Sequence, residues 1–194
     1  MIDLNPYKLI LGSKSPRRHE LLKGLGMPFE VRIKDTDESF SEKLQHAGIA
    51  EFLARIKGEA FLAEIKPNEL IVTSDTIVWL GDRVFNKPQS AEEAVDMIDT
   101  LSGRMHEVIT GVSLLTSKRQ HVFHDITKVY FGDVNREDIV HYVDRFKPFD
   151  KAGAYGIQEW IGYVGIERIE GSFYNVMGFP TRKFYVELQE FLKP

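Results

Sequence analysis

Apolar positions along this chain change period repeatedly, and each change marks an element. Lys8 to Leu11 is a short apolar run that predicts a buried strand. Ser15 precedes Pro16, the pairing expected at a helix N-cap and first helical position. Leu21, Leu22 and Leu25 give that helix its apolar face, and Gly26 is placed to close it. Phe29 to Ile33 predicts a second strand, and Asp35 to Glu42 an acidic loop. Ala50, Leu53, Ile56, Ala60 and Ala63 fall at helical spacing, with Pro67 beyond the end. The β-branched run Leu70 to Thr73 ends at Ser74, Asp75 and Thr76. Ile77 to Leu80, Gly81-Asp82 and Val84-Phe85 then predict a hairpin. Ser90 and Glu93 form a capping box for a helix ending near Gly103. Two long strands follow, His106 to Thr116 and His121 to Phe131, then a short helix capped by Asn135 and ending near Phe146. A Gly-rich segment, Asp150 to Gln158, leads to a last strand and a helix from about Thr181 to Leu192. Tyr155, Trp160, Tyr163 and Phe173 read as core residues.

The order mixes strands and helices without strict βαβ repetition, so the expected fold is α/β or α+β with a mixed sheet. At 194 residues the chain can build one core, or two lobes on one sheet. Hydrophobic residues at 43% and charged residues at 28% are ordinary for a globular protein. A net charge of -4 lacks the basic surplus of a duplex binder, so stable nucleic-acid binding is not expected. With no cysteine, disulfides and thiolate metal sites are excluded, and any metal must take oxygen or imidazole ligands. No signal-like leader and no membrane-length apolar run occur, which predicts a cytoplasmic protein without a membrane partner.

Three features carry candidate chemistry. Ser13-Lys14-Ser15-Pro16-Arg17-Arg18 sits where a strand feeds a helix N-terminus, whose N–H groups and dipole attract phosphate. Arg17 and Arg18 add planar donors suited to phosphate oxygens. The alternative is a capped helix with two solvated arginines. Asp75-Thr76, at the predicted end of a strand, is where open sheets place ligand chemistry, and Asp75 could hold Mg²⁺. An ordinary turn aspartate is the alternative. Glu38 is a possible companion, in a loop that also holds Asp35, Asp37 and Glu42. Lys57 and Lys87 would each ordinarily be surface lysines, yet a triphosphate needs about this many cations. No Walker pattern, zinc-type histidine spacing or G-x-S-x-G elbow is present.

Read together, S-x-S-P-R-R at Ser13 to Arg18, S-D-T at Ser74 to Thr76, N-K-P at Asn86 to Pro88, L-S-G-R-x-H at Leu101 to His106, V-I-T-G-V at Val108 to Val112, D-K-A-G-A-Y-G-I-Q at Asp150 to Gln158 and G-S-F-Y-N-V-x-G-F-P at Gly171 to Pro180 resemble the Maf proteins. These are nucleotide pyrophosphatases related to the inosine triphosphate pyrophosphatases. The resemblance covers nearly the whole chain, as one domain over 1–194. It implies an elongated mixed sheet flanked by helices, and two lobes with a cleft between them. Hydrolysis at the α–β phosphate linkage with Mg²⁺, Mn²⁺ or Co²⁺ is the implied reaction. Ser13, Arg17, Arg18, Thr76 and Gln158 would bind substrate, and Lys57 and Lys87 would neutralise the triphosphate. Glu38 and Asp75 would bind metal or orient water. The Tyr-Gly-Ile-Gln form resembles the branch acting on dTTP and UTP. A homodimer is also implied. So is an association with cell division and septum formation, which makes a regulatory nucleotide-binding protein the rival reading. Gly12 stands where the family usually has Ala, an exchange expected only to loosen packing. Glu159-Trp160 stands where a Gly is typical, adding charge and bulk beside the expected base pocket.

Overall fold

The computed structural model describes residues 2–193. Among them are seven strands, β1 (Lys8–Leu11), β2 (Phe29–Val31), β3 (Glu69–Leu80), β4 (Arg83–Phe85), β5 (Met105–Leu115), β6 (Gln120–Phe131) and β7 (Ile166–Glu170). The helices are α1 (Pro16–Gly24), α2 (Ala47–Glu59), α3 (Ala91–Leu101), α4 (Arg136–Phe146), α5 (Trp160–Gly165), α6 (Phe173–Val176) and α7 (Thr181–Phe191). The strands are hydrogen-bonded in the order β2-β1-β3-β5-β6-β7, with β4 on β3. β1 runs parallel to β2 and β3, whereas β4 on β3 and β7 on β6 are antiparallel. The sheet is therefore mixed, as the element order predicted.

The chain divides into two compact units, and β3, β5 and β6 each pass from one into the other along the sequence. Unit 1 comprises Met1–Asp75, Thr110–Asp125 and Gly178–Pro194; unit 2 comprises Thr76–Ile109 and Ile126–Met177. In unit 1, Ile10, Phe61, Ile71 and Leu115 pack into one buried cluster. In unit 2, Ile98 and Leu101 of α3, Ile139, Tyr142 and Val143 of α4, and Val129 and Phe131 of β6 build a larger one.

Local rules account for most element ends. Ser90 and Asn135 cap α3 and α4 by accepting from the amides of Glu93 and Asp138 at 3.1 and 2.8 Å. Gly26 follows α1 with a positive φ of 72° and donates its amide to the Lys23 carbonyl. Four expectations are corrected. Ser15 occupies the N-cap of α1, but its side chain does not cap; its own amide donates to Ser13 Oγ at 3.2 Å. Helix α2 stops at Glu59, because tight turns after it carry Phe61 into the unit 1 core and leave Ala63 exposed. β3 does not stop at Ser74 but continues unbroken through Asp75 and Thr76. Tyr163 and Phe173 are exposed, because the short helices α5 and α6 bury Ile161, Gly165 and Asn175 instead.

Gly12 is also tighter than the sequence suggested. A Cβ there would lie 2.7 Å from Thr73 Cγ2 and 3.1 Å from the Phe61 ring, so an alanine has no room without a shift.

Candidate active site

Unit 1 gathers six of the residues singled out from the sequence. β1 ends at Leu11, in register with Val72 of β3, and Gly12 donates its amide to the Val72 carbonyl. β3 continues past that point, so Thr73, Ser74 and Asp75 extend beyond the carboxyl end of β1. Asp75 is thus in mid-strand, yet at the carboxyl end of its parallel neighbour. This is the position where open sheets leave room for a ligand.

The loop after β1 places Ser13 inside, 7% exposed. Its Oγ accepts from the Ser15 amide and, at 3.5 Å, from Arg18 Nη1. The Arg18 guanidinium also donates to the Ser74 carbonyl at 2.8 Å and to the Gly178 carbonyl at 3.0 Å. Arg18 therefore ties the first turn of α1 to β3 and to the segment before α7. Desolvation pulls its pKa below the ordinary guanidinium value; Asp75 opposes that, Arg17 adds to it and Glu38 opposes it. Arg17, beside it on the first turn, is half-buried. No acidic side chain lies in this turn, so no carboxylate of the turn competes with an anion for the dipole's positive end.

Lys57 projects from α2 between two carboxylates. Its Nζ is hydrogen-bonded to Asp75 Oδ1 and lies 3.0 Å from Glu38 Oε1. The Lys57 and Asp75 side chains are only 15% and 13% exposed, whereas Glu38 is half-exposed. Of the acidic loop's four carboxylates, Glu38 meets this lysine, whereas Asp35 pairs with Lys14 at 2.8 Å. The sequence could not make that choice. Thr73 stands beside the site, buried, with its hydroxyl donating to the Ala54 carbonyl of α2. Ser74 Oγ is buried without a hydrogen bond. Glu38 and Asp75 are the pair that could hold a cation; no group of three or more His, Asp or Glu that could do so occurs among the described residues.

The other three predicted residues belong to unit 2. Thr76 follows Asp75 in β3, and Lys87 is exposed in the Asn86-Lys87-Pro88 segment. Gln158 lies in a turn before α5, with its side-chain oxygen buried and taking no hydrogen bond. Glu159, which the sequence analysis expected to add charge beside the base pocket, has its carboxylate paired within unit 2. Its carboxylate accepts from the Tyr142 hydroxyl and lies 3.0 Å from Lys151 Nζ. Tyr142 and Lys151 escaped sequence reasoning: Tyr142 falls on the apolar stripe of α4, and Lys151 reads as one more polar residue of the Gly-rich segment.

Comparison with known proteins gives this geometry a family. The "Maf-like protein" family matches residues 8–191. A dTTP/UTP pyrophosphatase of Bacteroides thetaiotaomicron is 48% identical, over 97% of this chain and 98% of that protein. One from Flavobacterium johnsoniae is also 48% identical, over 94% of each. Among solved structures, the Staphylococcus aureus Ham1 protein shares the fold, with a TM-score of 0.50 over 95% of this chain and 97% of that one at 15% identity. Nearly full-length similarity at this level places the chain in the Maf-like protein family.

Proposed function

We infer that this protein is a nucleoside triphosphate pyrophosphatase acting on dTTP and UTP, releasing the monophosphate and pyrophosphate. The observation that carries the reading is the convergence in unit 1 of an arginine-bearing helix N-terminus with the Glu38–Lys57–Asp75 cluster. Relatives named for this activity match over nearly their whole length.

The donor set suits a divalent cation that prefers oxygen. Two carboxylates meet at one point, and the Lys57 ammonium between them marks where positive charge is stabilised. Mg²⁺ binds through one or two carboxylates completed by substrate oxygens and water; Mn²⁺ and Co²⁺ also accept such ligands. When bound, the cation supplies charge stabilisation at the phosphates and lowers the pKa of water.

In this mechanism Ser13 and Arg17 hold phosphate oxygens at the amino end of α1, and Arg18 keeps that turn fixed against β3. Lys57 turns from its carboxylate partners towards the triphosphate. Lys87, Thr76 and Gln158 are assigned to the substrate on the family resemblance. A water oxygen forms a bond to the α-phosphorus, and the bond to the bridging oxygen breaks with its electron pair leaving on pyrophosphate. One carboxylate of the Glu38–Asp75 pair takes the water's proton, and the other would hold the cation.

The test is pyrophosphate release from a panel of nucleoside triphosphates, with and without Mg²⁺ or Mn²⁺. Metal-dependent turnover of dTTP and UTP above the purine nucleotides is expected. Turnover of other bases instead would keep the chemistry and overturn the substrate. Tight binding without release would overturn the enzyme reading and favour a regulatory nucleotide binder.

A further inference from the structure

Gln158 sits in a turn whose two ends meet at one atom. The turn closes with the Glu159 amide donating to the Gly156 carbonyl at 3.0 Å, leaving Ile157 and Gln158 as its central residues. The Tyr142 hydroxyl accepts from the Gly156 amide at 3.1 Å and donates to the Glu159 carboxylate. Lys151 Nζ lies 3.0 Å from the other oxygen of that carboxylate and 2.9 Å from Asp150 Oδ1. Tyr142 is fully buried on α4 and stacked on Phe146, and the Lys151 side chain is 9% exposed. Burial, with the hydrogen bond and charge of Glu159, holds the Tyr142 phenol well above its ordinary pKa, so it remains a donor.

A buried ammonium, carboxylate and phenol are costly to desolvate, and an all-apolar arrangement could close a four-residue turn as well. What this arrangement adds is rigidity of one conformation. The Gln158 side chain that the turn carries has a buried, unpartnered oxygen. Such an acceptor is unfavourable until a donor completes it. A keto pyrimidine base carries one ring N–H able to do so.

We propose that Tyr142, Glu159 and Lys151 form a clasp that fixes the Gly156–Glu159 turn and so positions the Gln158 amide for the nucleotide. They are positioning residues, and the proposal rests on the reading of Gln158 as a substrate contact.

Steady-state pyrophosphate release from dTTP and UTP tests it in the full-length protein, using Gln158→Ala, Tyr142→Phe, Glu159→Ala, Glu159→Gln and the double variant Gln158→Ala/Tyr142→Phe. Gln158→Ala should raise KM about tenfold, the loss of one buried hydrogen bond. Tyr142→Phe keeps the ring and its packing, and should raise KM by a similar factor with kcat changed less than about twofold, as expected for lost binding. Glu159→Ala should do the same, and Glu159→Gln, which still accepts from Tyr142, should recover most of the loss. The double variant should match Gln158→Ala alone, because both act through one contact. Variants of Tyr142 and Glu159 that lower Tm but keep the wild-type KM, or whose effects multiply with that of Gln158→Ala, overturn the clasp. A wild-type KM in Gln158→Ala overturns the substrate role of Gln158, a separate failure.

Discussion

Single side chains decide the chemistry in unit 1. Lys57 has two carboxylate partners, and Asp75 is held inside a strand where it cannot swing away. Asp75→Asn keeps the shape and removes the charge, so kcat for pyrophosphate release should fall about a thousandfold, the scale of losing one preorganised charge. Circular dichroism of the variant should remain that of the wild type; near-normal turnover would remove Asp75 from the mechanism. Arg17→Ala should raise KM and lower kcat together, and unchanged kinetics would place that arginine outside the site. His106, in unit 2, gives a different signal. Its Nε2 lies 2.7 Å from the Tyr155 hydroxyl, and burial pulls its pKa down to about 4 from an ordinary 6.5. Between those values the unfolded chain takes up a proton that the folded chain refuses. Stability is therefore full above pH 6.5 and falls as the pH is lowered towards 4. Urea unfolding across that window should show this slope in the wild type and lose that part of it in His106→Gln.

Elements meet where small residues allow it. β5 crosses α2 so closely that a Cβ on Gly111 would sit 2.2 Å from the Ala50 carbonyl oxygen. The atoms it would meet, the Ala50 carbonyl and the Glu51 amide nitrogen, are helix backbone and cannot rotate aside. Gly111→Ala should destabilise the protein by about 3 kcal/mol, read from denaturant midpoints. A loss below about 0.5 kcal/mol, the range of surface substitutions, would mean that α2 shifts freely. The periodic elements were legible in the sequence because their signals are local. The caps of α3 and α4 and the β3–β4 hairpin follow from neighbours within a few positions. The end of α2 and the continuity of β3 were not legible. Phe61 draws the chain into a tight turn, and the polar Ser74-Asp75-Thr76 run resembles a strand end until partners from α1 and α2 are supplied.

At the scale of the whole molecule, no described helix is long and apolar enough to cross a membrane. Binding of a non-hydrolysable dTTP analogue to the native state should stabilise it by about 2.7 kcal/mol at a hundred times Kd. Calorimetry with and without Mg²⁺ checks this, and chelation of the cation should remove most of the gain. The sequence by itself determined the family, the mixed α/β architecture and the set of residues to examine, because ordered motifs and hydrophobic periods are properties of neighbours in the chain. Only the tertiary structure decided which of those residues meet. Arg18 reaches a carbonyl 160 positions away, and Lys57 selects Glu38 from an acidic loop. Such choices depend on how α1, α2 and β3 pack, and packing is set by contacts between distant segments that no local pattern records.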